Sequence, residues 1–172
     1  MKILCLSTKT NPCNQGGIET FCRVLKKFYN NIEFFSFLNK EKRYYDVKNI
    51  IELKADKWYE KIIYKLFGKT YLSKLKKMEY DIYILNFPKD IELIPKDKKN
   101  IILVQHINYS KYVEEYFRND LKLINECKKR LKYFVFLSEY DRDKFVKEMN
   151  FPLCKTKVIR HSCELEIQNI KK

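Results

Sequence analysis

Short apolar runs and amphipathic stretches alternate along the whole chain of 172 residues. Near-continuous apolar runs fall at 2–6, 32–37 (IEFFSF), 49–53 (NIIEL), 81–86 (DIYILN), 100–105 (NIILVQ), 132–137 (KYFVFL) and 156–160 (TKVIR). Runs of that length, apolar on both sides, are those of strands covered on both faces of a sheet. Between them, apolar residues recur at helical spacing and predict helices over 18–29, 57–78, 109–129 and 139–149. Strands alternating with helices predict an α/β fold: a Rossmann-like, doubly wound, mostly parallel sheet with helices on both faces. No repeat and no low-complexity linker divides the chain, so residues 1–172 are expected to form one such domain.

In sheets of this kind ligands gather at the carboxyl ends of the strands. Gly16-Gly17, Asn86, His106, Ser138 and Arg160-His161 each follow a predicted strand and are expected to line one edge together. The first of these turns organises the rest. The buried run from Ile3 to Ser7 leads into a ten-residue polar loop that ends in Gly16-Gly17. A helix then opens, with Leu25, Phe28 and Tyr29 expected on its inner face. The first turn of a helix has free N–H groups and a favourable dipole for an anion. Two adjacent glycines would let a ligand approach backbone that a Cβ would shield.

The stretch 57–78 is a second landmark. Trp58, Tyr59, Ile62, Ile63, Leu66 and Phe67 share one broad face, and Lys57, Lys61 and Lys65 form a stripe beside it. Such a helix is either a core element with a solvated flank or a basic surface resting on an anionic membrane.

The composition sharpens this. A formal charge of +14 comes mainly from lysine; the arginines are Arg23, Arg43, Arg118, Arg130, Arg142 and Arg160. A specific nucleic-acid reader draws more on Arg, for bidentate contacts. A lysine-rich surface suits diffuse attraction to anionic lipid or phosphate, and equally reflects the codon usage of an AT-rich genome. The alternative of a Lys- and aromatic-rich nucleic-acid-binding module is opposed by the aromatics, which fall on predicted strands and inner helix faces. Six cysteines without a CxxC pair, Cys5 and Cys22 among them at predicted buried positions, suit a reducing cytoplasm and no metal site. The first residues do not form a signal peptide, and no apolar run is long enough to span a bilayer.

The glycine pair belongs to neither common nucleotide signature. GxGxxG is absent and no acidic residue ends the second strand; Gly68-Lys69-Thr70 lacks the upstream glycine of a Walker loop. His106 is either a satisfied core residue or, at a strand end before Asn108, an imidazole that donates and accepts near neutral pH. Glu19 complements the helix dipole or shapes a ligand cleft. Ser138, with Asp141, has the pattern of a helix cap. Arg160 and His161 could meet phosphate.

Four segments in order carry a resemblance. QGGIE opening a helix, LVQHINY, YFVFLSEYDRDKF and KVIRHSCE resemble successive parts of the N-terminal domain of family 4 glycosyltransferases of the GT-B fold. In the last segment His161 and Ser162 stand where that family usually has Asn-Gly. The resemblance implies the acceptor-binding half of a two-domain enzyme. That enzyme would transfer a sugar from a nucleotide-diphosphate sugar, with retention and without metal or other cofactor, to a polysaccharide, lipopolysaccharide or glycolipid. It implies Gly16 and Gly17 against the donor diphosphate and His106 as the catalytic group facing the reacting sugar. Glu19, Asn108, Ser138, Arg160 and His161 would lie on the acceptor side or cleft. Lys57, Trp58, Lys61 and Lys65 would be the membrane surface of a cytoplasmic protein peripheral to the inner face. The residues beyond 165 leave no room for the donor-binding half, which is expected in cis or in trans; alone, the chain is expected not to turn over a nucleotide sugar. A non-catalytic subunit of a split enzyme is the other alternative.

Overall fold

The computed structural model describes residues 1–37, 45–53, 79–118 and 120–160. Seven parallel strands form one sheet, in the order β3-β2-β1-β4-β5-β6-β7. They are β1 (Ile3–Ser7), β2 (Ile32–Phe37), β3 (Ile50–Leu53), β4 (Ile82–Leu85), β5 (Ile101–Val104), β6 (Leu131–Phe136) and β7 (Thr156–Val158). The helices are α1 (Gly17–Phe28), α2 (Tyr109–Tyr116), α3 (Leu121–Arg130) and α4 (Glu139–Met149), with 3-10 turns at Pro88–Leu93 and Leu153–Lys155. This is a Rossmann-like α/β fold. The strand order steps outward from β1 in both directions, so its carboxyl end faces a topological switch between β1 and β4.

Alternation along β1 divides the core. Ile3 and Cys5 pack with Cys22, Ile32 and Phe34 beneath α1. Leu4 and Leu6 join a larger cluster with Tyr83, Leu85, Leu103, Phe134 and Phe145 on the other face. There Phe134 stacks on Phe136, with ring centroids 4.3 Å apart, and meets Phe145 edge-on at 5.0 Å. Among the described residues the first face is less covered. Ile82, Ile84, Ile102, Val104 and Val135 line an apolar groove of about 340 Å³ beside Phe21 and Leu25.

Two expectations change. The single helix over 109–129 is two helices. The N–H groups of Phe117 and Arg118 both donate to the carbonyl of Val113, closing α2, and the Asp120 carboxylate accepts from the Leu123 N–H at 2.9 Å, opening α3. A side-chain cap displaces continued helix here, and Phe117 turns into the core. On α1, Phe28 is 74% exposed. Ile18, Phe21, Cys22 and Leu25 form the inner stripe. At 100° per residue Phe28 lies about 80° off the axis set by Ile18, whereas Tyr29 returns to it and touches the groove, still partly exposed. The strands at 81–86, 100–105 and 156–160 are trimmed at their ends, but Asn86, Gln105 and Ile159 still donate ladder bonds to Leu6, Val135 and Phe136. The helix expected over 57–78, with Lys57, Trp58, Lys61 and Lys65, lies outside the described residues, as does His161.

Candidate functional site

Buried polar side chains collect at one end of the sheet. Ser7, Asn11, Asn14, Glu19, Ser36, Asn86, Asp90 and Gln105 all sit at or just beyond the carboxyl ends of β1, β2, β4 and β5; Arg130 and Thr156 sit at the opposite end. A buried polar group costs free energy unless bonded, so this concentration marks where the fold is organised for something other than stability.

The loop from Thr8 to Gly16 is built by its own bonds. The Ser7 and Thr10 hydroxyls are 2.6 Å apart, and Ser36 donates to the Thr10 carbonyl at 2.5 Å. Asn11 accepts from the Cys13 N–H at 2.9 Å. The Arg23 guanidinium reaches back from α1 to donate to the carbonyls of Pro12 at 3.0 Å and Asn14 at 2.7 Å, and lies over the Tyr45 ring. The loop delivers the chain to α1 in a defined geometry.

The two glycines differ. Gly16 has φ +151°, which side chains rarely adopt, and a Cβ there would lie 2.1 Å from Glu19 Oε2. The group that closes on Gly16 is therefore the buried carboxylate of Glu19 itself, not open space awaiting a ligand. At Gly17 a Cβ would meet nothing within 4 Å. The close approach expected of both glycines is open at Gly17 alone. Glu19 occupies the first turn of α1, where a negative charge complements the dipole.

His106 follows β5 by two residues and sits at the same corner. Its Nε2 is 2.8 Å from Asn86 Oδ1. Its ring meets Phe21, one helical turn past Gly17, edge-on at 5.0 Å. Asn86 is also 3.5 Å from both the Cys5 and Cys22 sulfurs, which are 3.9 Å apart. Hydrogen bonding with Cys22, then burial, pushes the Cys5 thiol well up, so it remains a thiol. One contact network thus joins β1, α1, the end of β4 and the end of β5.

The remaining candidates are placed as follows. Asn108 caps α2, accepting from the Lys111 N–H at 3.1 Å, and Ser138 caps α4, accepting from the Asp141 N–H at 3.1 Å. Arg160 is exposed beyond the end of β7. Residues that sequence reasoning passed over lie between these. Gln105, wholly buried, donates to the Ile107 carbonyl at 2.7 Å and to Asp141 at 3.3 Å. Asp90 accepts from the Thr8 hydroxyl at 2.5 Å, and burial pushes its carboxyl up to about 6. Beside it Lys9 pairs with Glu115 at 3.0 Å and lies over the Tyr116 ring. Of these only Gln105, directly after β5, had a signal in its position; Asp90 and Lys9 lie further from a strand end. Among the described residues no cluster of three or more His, Cys, Asp or Glu is placed to hold a metal ion, and no helix is long and apolar enough to cross a membrane.

No family model matches the sequence, and no curated protein matches it. Among solved structures the chain is similar to HepE of Anabaena, whose structure is a complex with UDP-glucose. The identity is 15% and the TM-score 0.61, over 95% of this chain and 44% of that one. The likeness is one of fold, and this chain spans less than half the length of that neighbour.

Proposed function

We propose that this chain is the acceptor-binding N-terminal half of a retaining family 4 glycosyltransferase of the GT-B fold, and that its carboxyl rim faces a nucleotide-diphosphate sugar. The observation that carries the reading is the shared corner: the His106 imidazole packs on the first turns of the helix that Gly17 opens. In that arrangement the open backbone at Gly17 receives the donor diphosphate, and His106 orients a sugar hydroxyl or the departing phosphate. Likeness in fold to a protein that binds UDP-glucose supports a nucleotide sugar as the ligand class. Glu19 then lines the acceptor side, where its charge also sets how closely a second anion can approach the helix. Asn108, Ser138 and Arg160 belong to the cleft through the loops they begin or end. The acceptor is a polysaccharide, lipopolysaccharide or glycolipid, and the donor-binding half acts in cis or in trans. A cytoplasmic protein peripheral to the membrane, through the basic stretch at 57–65, is part of the same reading.

Titration of the chain with UDP-glucose, followed by NMR, tests it. Half a site should bind weakly, with Kd on the order of millimolar, and move the Gly17 amide and the His106 ring signals together. Saturating UDP-glucose that moves neither overturns the reading, as does turnover of the sugar by this chain with His106 replaced.

A further inference from the structure

We infer that Asn86 is the positioning residue of His106: its side-chain carbonyl holds the neutral imidazole in the Nε2–H form, with Nδ1 deprotonated. What this means for catalysis rests on the reading of His106 given above; the tautomer itself follows from the geometry.

Asn86 stands one residue beyond β4. Its N–H donates to the Leu6 carbonyl at 3.1 Å, which keeps its Cα in the ladder, and its side chain is buried. The two ends of its amide are chemically different. The amino end lies 3.5 Å from the Cys5 and Cys22 sulfurs, a distance suited to N–H donation to sulfur. The carbonyl end lies 2.8 Å from His106 Nε2. An amide oxygen can only accept, so the ring nitrogen facing it carries a hydrogen. A neutral imidazole has one such nitrogen, and the other, Nδ1, carries no hydrogen. When the ring gains a proton, Nε2 still donates to Asn86, so the same bond serves both charge states. The edge contact with Phe21 hinders the ring from turning over. Anchoring to two thiols matters because a reversed amide would present its amino group to Nε2 and require the opposite tautomer. The two orientations therefore make opposite predictions.

The chain contains two histidines, His106 and His161, so a long-range proton–nitrogen spectrum shows two imidazoles, and His161→Gln assigns them. With both rings held neutral by an alkaline buffer, His106 should show a protonated Nε2 and a deprotonated Nδ1, with shifts at the limits rather than averaged. Asn86→Leu, of similar size and without the acceptor, should bring the two nitrogen shifts towards each other; Asn86→Asp, which keeps an acceptor oxygen, should keep the proton on Nε2. A protonated Nδ1 in the unmodified chain overturns the inference without any variant, which covers the case of a variant that does not fold. Unchanged nitrogen shifts in a folded Asn86→Leu chain, or equal loss in Asn86→Leu and Asn86→Asp, also overturn it. All these spectra are recorded without ligand. A chain that ignored UDP-glucose but showed the locked ring would refute the proposed function and leave this inference standing.

Discussion

At the carboxyl rim the buried polar groups are mostly uncharged and bonded across elements far apart in the chain: Asn86 to His106, Gln105 to Asp141, Thr8 to Asp90. At the amino rim Lys96, Lys98, Lys99, Lys129, Lys132 and Lys155 line an open cleft of about 470 Å³. Several of these spend their charge locally: Lys96 pairs with Glu126, Lys132 donates to Asn100, and Lys155 donates to the Lys128 carbonyl. The buried Arg130 donates to the carbonyls of Ile91, Ile94 and Pro95 and pins the entry to β5. Positive charge and organised polarity thus gather at opposite ends of one sheet. Surface charge in water is cheap and weakly ordered. A buried neutral amide persists only where the fold supplies its partner, which makes it the better pointer to a site.

Four substitutions sharpen this contrast. Arg130→Ala should have the largest effect, about 3 kcal/mol lost, because three carbonyls lose a charged donor. Urea unfolding measures it, and a cost like that of a surface lysine would erase the distinction drawn at the amino rim. Gly16→Ala should cost about 2 kcal/mol, from strain at φ +151° and displacement of Glu19. Adding Glu19→Ala should recover part of that loss, because the two residues collide. Gly17→Ala, by contrast, should hold or slightly raise stability, by up to about 1 kcal/mol, while weakening UDP-glucose binding. Equal costs at both glycines would show that the pair is one structural turn.

A pH dependence is expected as well. The carboxyl of Asp90 is raised from 3.8 to about 6 in the folded chain, with burial as the main cause. The folded state therefore holds its proton more tightly than the unfolded state. The stability this contributes is full below about pH 4 and is lost as pH rises through about 6. The difference amounts to roughly 3 kcal/mol. Asp90→Asn, which keeps an acceptor for Thr8, should flatten that part of the profile between pH 4 and 7. Thermal melts across the range would show it, and parallel curves for the two proteins would remove Asp90 from the account.

The sheet was legible in the sequence because strands buried on both faces must be apolar throughout: 32–37 is β2 to the residue, and 49–53 and 132–137 differ from β3 and β6 by a residue at their ends. The break between α2 and α3 was not legible from periodicity. Tyr109 to Lys129 keeps apolar residues at helical spacing while Asp120 competes for the backbone as a cap. Phe28 was misplaced for a related reason, since apolarity alone does not say where a stripe runs off the sheet. The rim residues divide in the same way. Gly16-Gly17 and His106 could be picked out by type and position after a strand. Gln105, Asp90 and the anchoring of Asn86 could not, because each acquires its role from a partner 36 or more positions away.

By itself the sequence determined which segments are strands, that they run parallel and that their carboxyl ends form one edge. These follow from hydrophobic period and from crossover handedness, both local properties of the chain. Only the tertiary structure decided that Gly16 is filled by Glu19 while Gly17 is open, and that Asn86 faces His106 with its oxygen. Those outcomes depend on ångström-scale distances between side chains that only packing brings together.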